Sequence, residues 1–210
     1  MLTLASLWIA WCAQHSLLIS SYAHKTARTL LGRYFGLYRL GYVLFSVVTL
    51  VPLIYYQYSL PQHVIFNWPG PWRLLQAGLL VYAAVLFYLG SRVYDMSYFL
   101  GISQWRQSRR AEAPAPLPFH CDGILGYVRH PWYSGGIAFL WGAGPNSDVS
   151  LPGKVILSAY LVIGSFLEEK RLQKELGAHR LLPDCPHAHP LEKKNPRNMT
   201  LSSQSNCAAK

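Results

Sequence analysis

The chain is short of charge, and of negative charge above all. Only 13% of its 210 residues are Asp, Glu, Lys or Arg, and 9 of them are acidic. Soluble domains average about 25% charged residues. Half that share leaves too few ionised groups to coat a globular surface of this size, while a hydrophobic content of 51% leaves much apolar surface to hide. A disordered chain is excluded, and an ordinary soluble enzyme is disfavoured. Cysteine is scarce as well. Cys12, Cys121, Cys185 and Cys207 show no C-x-x-C spacing, so no disulfide framework is implied. Cys185, His187 and His189 lie in a Pro-rich tail and do not amount to a metal site. No internal repeat is present. Against these shortages stand 19 Lys and Arg and a net charge of +10. That balance fits either a basic nucleic-acid binder or a small membrane protein, and the placement of the charges decides between them.

The basic residues fall between long apolar runs. Leu2 to Ser20, Leu40 to Leu60 and Leu74 to Ser91 carry no formal charge. Each is close to the roughly 18–20 residues that cross a bilayer core of about 30 Å as a helix. Pro131 to Ser147 is charge-free and glycine-rich, and Val155 to Leu167 extends back to Leu151 to make a fifth span. The expected fold is therefore all-α and polytopic, a single domain over 1–194. Its helices are expected near 2–20, 38–60, 72–91, 131–147 and 151–168, ahead of a disordered polar tail at 195–210. The first run lacks a basic leader and is interrupted by His15, so it reads as a span and not as a cleaved signal peptide.

Loop charge sets the orientation. The first loop holds Lys25, Arg28, Arg33 and Arg39; the second, Arg73 alone; the third, Arg92, Arg106, Arg109, Arg110 and Arg129; the fourth, Lys154 alone. The tail after the last run holds eight more basic residues, so 17 of the 19 fall on alternate loops. The positive-inside rule then places the N-terminus outside and the C-terminus in the cytoplasm, with five crossings. Tyr and Trp cluster near the boundaries, as interfacial anchors do, rather than interleaving with the basic residues as a stacking surface would require. A nucleic-acid partner is not expected.

Two segments depart from what a lipid-facing helix needs. His120 to Gly142 brings Asp122, Arg129 and His130 to the membrane boundary, with Pro131 at a helix start and glycines at 123, 126, 135 and 136. The second is Glu168-Glu169-Lys170-Arg171-Leu172 at the end of the fifth run. Two adjacent carboxylates at a helix C-terminus oppose the helix dipole. Packing glycines, flanking charges and a helix continuing into the cytoplasm would account for these residues one at a time. The topology, however, puts both segments on one face, with Arg129 and His130 on one wall of a cleft and Glu168 and Glu169 on the other. His15 lies about 8 Å inside the first span at 1.5 Å per residue, and an intramembrane histidine marks a candidate site.

The pattern Gly123-x-x-Gly-Tyr-x-x-Arg-His-Pro-x-Tyr-x-Gly135, followed by Glu-Glu-x-x-Leu-x-x-x-x-Gly177, resembles the isoprenylcysteine carboxyl methyltransferase-like superfamily. Gln14-His15-Ser16-Leu17 and Arg33-Tyr34-Phe35-Gly36 resemble its branch of nurim, NnrU proteins and methanethiol S-methyltransferases. The resemblance implies an S-adenosylmethionine-dependent methyltransferase with Gly126, Tyr127, His130, Pro131 and Tyr133 at the cofactor and Glu168, Glu169 and Arg129 as catalytic groups. It further implies a small hydrophobic or lipid-linked acceptor, a thiol first, with His15 added here on the acceptor side. A non-catalytic nurim-like protein and a phospholipid N-methyltransferase are the alternatives. The active site would face the cytoplasm from a bacterial inner membrane, or from the endoplasmic reticulum or nuclear envelope of a eukaryote. The chain departs from the family at Leu176 to Pro183, where two lid tyrosines of the pattern are missing.

Overall fold

The computed structural model describes the backbone of residues 1–110 and 123–176, with side chains through Lys170. The tail at 195–210, the departure at 177–183 and the Pro-rich tail histidines lie outside the described residues. The first apolar run forms α1 (Leu2–Ile19), followed by α2 (Ser21–Leu31), a tight 3-10 turn (Gly32–Leu37) and α3 (Tyr38–Ser59). A short strand β1 (Val64–Phe66) precedes α4 (Trp72–Val93), α5 (Met96–Leu100) and α6 (Ile102–Arg110). A second 3-10 turn (Gly123–Gly126) leads to α7 (Pro131–Gly142), β2 (Asn146–Ser147) and α8 (Ser150–Leu176).

Four of the described helical stretches are long and apolar enough to cross a membrane: Leu2–Ile19, Ser21–Ser59 (which contains α3), Trp72–Val93 and Ser150–Lys170. Their outward faces are apolar, with Leu2 86%, Leu74 78% and Val48 66% exposed. Water would not tolerate faces of that kind over so many turns, and lipid would cover them. The expected fourth span is different. α7 stops at Gly142, five residues short of the expected boundary. Its 12 residues rise about 18 Å, less than a hydrocarbon core. The cause is local: Gly144 takes φ +67° and Pro145 follows, so the helix cannot continue. Its last carbonyls find partners elsewhere. Gln76 Nε2 donates to Gly142 O at 3.0 Å, and Lys154 Nζ to Ala143 O at 3.0 Å.

Side-chain contacts give the helix directions. Trp8 bonds Gln57 while His15 bonds Ser46, so α1 and α3 are antiparallel. Trp8 packs at Gly153 while Ser16 bonds Tyr160, so α1 and α8 are parallel. α7 lies antiparallel along α4, where its small residues permit close approach. A Cβ at Gly135 would sit 3.2 Å from Leu86 Cβ, and one at Gly142 would sit 3.2 Å from Leu79 Cβ. Gly90 of α4 makes the reciprocal space for Trp132. The ends of α1, α4 and α8 and the starts of α3 and α7 therefore share one side of the molecule.

At the opposite side the two connections pair, a feature outside the all-α expectation. β1 and β2 run antiparallel, Val64 opposite Ser147 and Phe66 opposite Asn146. His63 N–H donates to Asp148 Oδ1 at 2.9 Å, and Ser147 Oγ to Gln62 Oε1 at 2.9 Å. Just beneath lies a small core of Leu4, Trp8, Leu53 and Val149. Lys154, counted with the fourth loop's charge although inside the expected helix at 151–168, is buried in the first turns of α8.

Candidate active site at the ends of α7 and α8

Pro131 fixes the start of α7, where its missing N–H costs nothing. His130 stands at the N-cap position with Arg129 just before it. On the other side α8 does not stop at the membrane boundary. It runs on to Leu176 and carries Glu168 and Glu169 on a continuous helix. The two segments meet directly. Arg129 Nη2 lies 2.8 Å from Glu169 Oε1. His130 Nε2 lies 3.4 Å from Glu169 Oε2, and its Nδ1 lies 3.8 Å from Glu168 Oε2. Tyr133, one turn into α7, places its ring 5.5 Å from His130, edge to face. Its hydroxyl and that of Tyr94 both neighbour the Glu168 carboxylate. Burial, and after it the Glu168 charge, pushes the Tyr94 phenol above its ordinary value of 10.0.

Arg129, His130, Pro131, Tyr133, Glu168 and Glu169 thus come together at one end of the bundle. The walls expected to flank an open cleft touch one another. Arg129 and Glu169 are half and about one quarter exposed, so their pairing is partly screened by solvent. Gly126 closes the turn ahead of this cluster, and the Tyr127 side chain beside it is 86% exposed.

His15 occupies a second polar patch, deeper among the helices. Its ring stacks on Trp11 at 5.4 Å and 3°, and Nδ1 lies 2.9 Å from Ser46 Oγ. The Ser46 hydroxyl already donates to Tyr42 O at 2.8 Å. It can therefore only accept from His15, which assigns the proton to Nδ1 and leaves Nε2 with a lone pair. Tyr160 joins the two patches. It meets the His15 ring at 6.3 Å, edge to face, and accepts a bond from Ser16 Oγ at 3.1 Å. Tyr160, Gly164 and Glu168 follow at four-residue spacing on one face of α8. A Cβ at Gly164 would sit 3.5 Å from the Tyr133 ring. Neither Tyr94 nor Tyr160 was expected at the site. The spacing from Glu168 back to Tyr160 was a usable signal; nothing marked Tyr94.

The fold and the cluster together define a helical protein with membrane-length apolar helices and an ionised cluster at one end. A curated methanethiol S-methyltransferase from a Pseudomonas species is 29% identical over 146 residues, which is 66% of this chain and 54% of that protein. The chain thus spans about half the length of that curated relative. The likeness supports a methyltransferase-like relationship. No family model matches the chain, and no solved structure matches it.

Proposed function

We propose that the protein is a membrane-embedded S-adenosylmethionine-dependent methyltransferase acting on a small or lipid-soluble acceptor, a thiol first. The carrying observation is the convergence of Arg129, His130, Tyr133, Glu168 and Glu169 from two separate segments, in a chain similar to a protein named for methylating a thiol. The donor set suits the cofactor. Two carboxylates against one guanidinium leave net negative charge for a sulfonium and an ammonium, while Arg129 offers a bidentate partner for a carboxylate. When bound, the cofactor supplies an activated methyl group for in-line displacement. The chain's own work is to hold the partners aligned and to exclude water.

To hold the cofactor's carboxylate, Arg129 would give up its contact with Glu169, which would then be free for a cationic group. Tyr133 and Tyr94 flank Glu168, and Gly126, Tyr127, His130 and Pro131 border the same end. His15 Nε2 can take a proton from a thiol approaching through the helices. Eight residues of α8 separate the level of Tyr160 from that of Glu168, a rise of about 12 Å. The acceptor would therefore enter from the deep side and the cofactor from the polar end. This end carries most of the loop arginines, and the positive-inside rule makes it the cytoplasmic one with five crossings, α7 included. Cofactor binding without turnover is the second reading, favoured by the direct Arg129–Glu169 contact.

Calorimetry of the detergent-purified protein, followed by methyl-transfer assays with methanethiol, a prenylcysteine and phosphatidylethanolamine, tests the reading. Binding with transfer to a thiol is expected. Absence of binding at millimolar S-adenosylmethionine would overturn it, and transfer to phosphatidylethanolamine alone would change the acceptor class.

A further inference from the structure

Arg33 and its neighbours are a sequence motif that the cluster at α7 and α8 leaves unused. The 3-10 turn that carries Arg33 is clamped by α6. Ser108 Oγ donates to Arg33 O at 3.0 Å, and Gly36 leaves no room for a Cβ against the Ser108 side chain. This clamp brings Arg33 and Arg109 to one mouth. There they line a cavity of about 500 Å³ together with Tyr34, Leu37, Trp105 and Ser108. Each guanidinium is steadied by an aromatic face. Arg33 stands 4.7 Å over Tyr34, whose hydroxyl it also bonds at 2.7 Å, and Arg109 stands 5.7 Å over Trp105. Among the described residues neither arginine meets a carboxylate, unlike Arg129.

A second cavity, of about 420 Å³, adjoins the first through Tyr34 and Leu37. Its walls are apolar: Leu18 of α1, and Tyr38, Gly41, Tyr42 and Phe45 of α3. From Leu37 to Phe45 it follows α3 for eight residues, or about 12 Å, into the apolar part of the bundle. A dicationic mouth opening onto an apolar trough has the charge and polarity profile of one ligand class.

We propose that this bipartite cavity binds an anionic phospholipid, with its phosphate between Arg33 and Arg109 and the upper part of an acyl chain in the trough. The proposal rests on the chain lying in a membrane, and not on its catalysing methyl transfer. α6 and the 3-10 turn are held by contacts that span 75 residues of sequence, so an occupied site would pin the first loop to the third.

The test is native mass spectrometry of the full chain in a neutral detergent, with phosphatidylglycerol and phosphatidylcholine at equal concentration. Wild type should retain phosphatidylglycerol with roughly a thirtyfold preference, the scale expected of two interfacial arginines. Arg33→Gln with Arg109→Gln should abolish the preference, and the paired Lys substitutions should keep part of it. Gly41→Trp should fill the trough and lower retention of both lipids; a Cβ at Gly41 meets nothing within 4 Å, so the new side chain starts in open space. Equal retention of the two lipids by wild type, or a preference untouched by the glutamine pair, would overturn the proposal. So would glycerol phosphate displacing the lipid at equal concentration, which would mark a site for a free phosphate. S-adenosylmethionine binding, measured on the same samples, should not change in any of these variants. Its absence alongside an intact lipid preference would count against the methyltransferase reading and leave the lipid site standing.

Discussion

The two ends of the helix bundle handle charge in opposite ways. At the end formed by β1 and β2, Lys154 is buried with 8% exposure and meets no carboxylate among the described residues. It donates to Ala143 O and to Asn146 Oδ1 at 3.0 and 2.8 Å. Those acceptors are the exposed carbonyl end of α7 and the side chain of β2, so the cation answers a helix dipole and closes a turn. At the other end, Glu168 and Glu169 stand side by side with one arginine and one histidine between them. Within this cluster two carboxylates face one guanidinium, although the loops around it are rich in arginine, and α8 continues past the pair, which is therefore not a helix terminator. A buried charge satisfied by neutral carbonyl oxygens serves the fold. A surplus of one sign, held by groups on separate elements, is available to a ligand.

Substitutions at each end should separate these roles. The largest effect is expected for Glu169→Gln, which removes the partner of both Arg129 and His130. Methyl transfer should fall by about a hundredfold or more, the usual scale for a lost charged group at a reacting centre. Thermal stability should hardly move, because the pair is partly exposed. Arg129→Gln combined with it should weaken cofactor binding further, since the two side chains would meet different groups of the cofactor once their pairing is broken. Equal effects on melting temperature and turnover would break the contrast. Next comes Lys154→Met. It strands the Asn146 side chain and the Ala143 carbonyl and should cost roughly 1–3 kcal/mol of stability, read by thermal unfolding in detergent. Turnover per folded molecule should survive.

His15→Ala, deeper in the bundle, should lower kcat for a thiol about tenfold or more while leaving cofactor affinity unchanged. A change in cofactor affinity instead would move His15 to the other end of the site. The smallest effect concerns Tyr94. Its raised phenol pKa contributes stability that is present below pH 10.0 and is lost as pH climbs through the raised value. Glu168→Gln removes the second cause of that shift. An ultraviolet difference titration should then show tyrosine ionisation beginning at lower pH than in the wild type.

Much of the helical architecture was legible in the sequence because hydropathy acts over whole segments. Leu2–Ile19, Tyr38–Ser59 and Trp72–Val93 lie within two residues of their expected bounds. The Arg-His-Pro-x-Tyr and Glu-Glu segments were readable as residues out of place in lipid, and the structure brings them together. What escaped depends on contacts between distant residues. The β1–β2 pairing joins 64–66 to 146–147, and no local pattern announces it. Lys154 looked like a loop marker because a lone lysine beside an apolar run is ordinarily a flank. Its burial follows from where α7 ends, which is set by Gly144 and Pro145 ten residues earlier. Tyr94 lies in a link between helices, where sequence spacing says nothing of neighbours.

The unbroken run of α8 has a geometric consequence. Because Tyr160, Gly164 and Glu168 sit on one rigid rod, the distance from the deep patch to the carboxylates is fixed like the rungs of a gauge. Each residue inserted between 161 and 167 would turn the carboxylates by about 100° relative to Tyr160 and lift them about 1.5 Å. The apolar composition of the span would barely change, yet Glu168 would swing away from Tyr133. The phase of a single helix, more than its hydrophobicity, sets whether the deep patch and the carboxylates face one another.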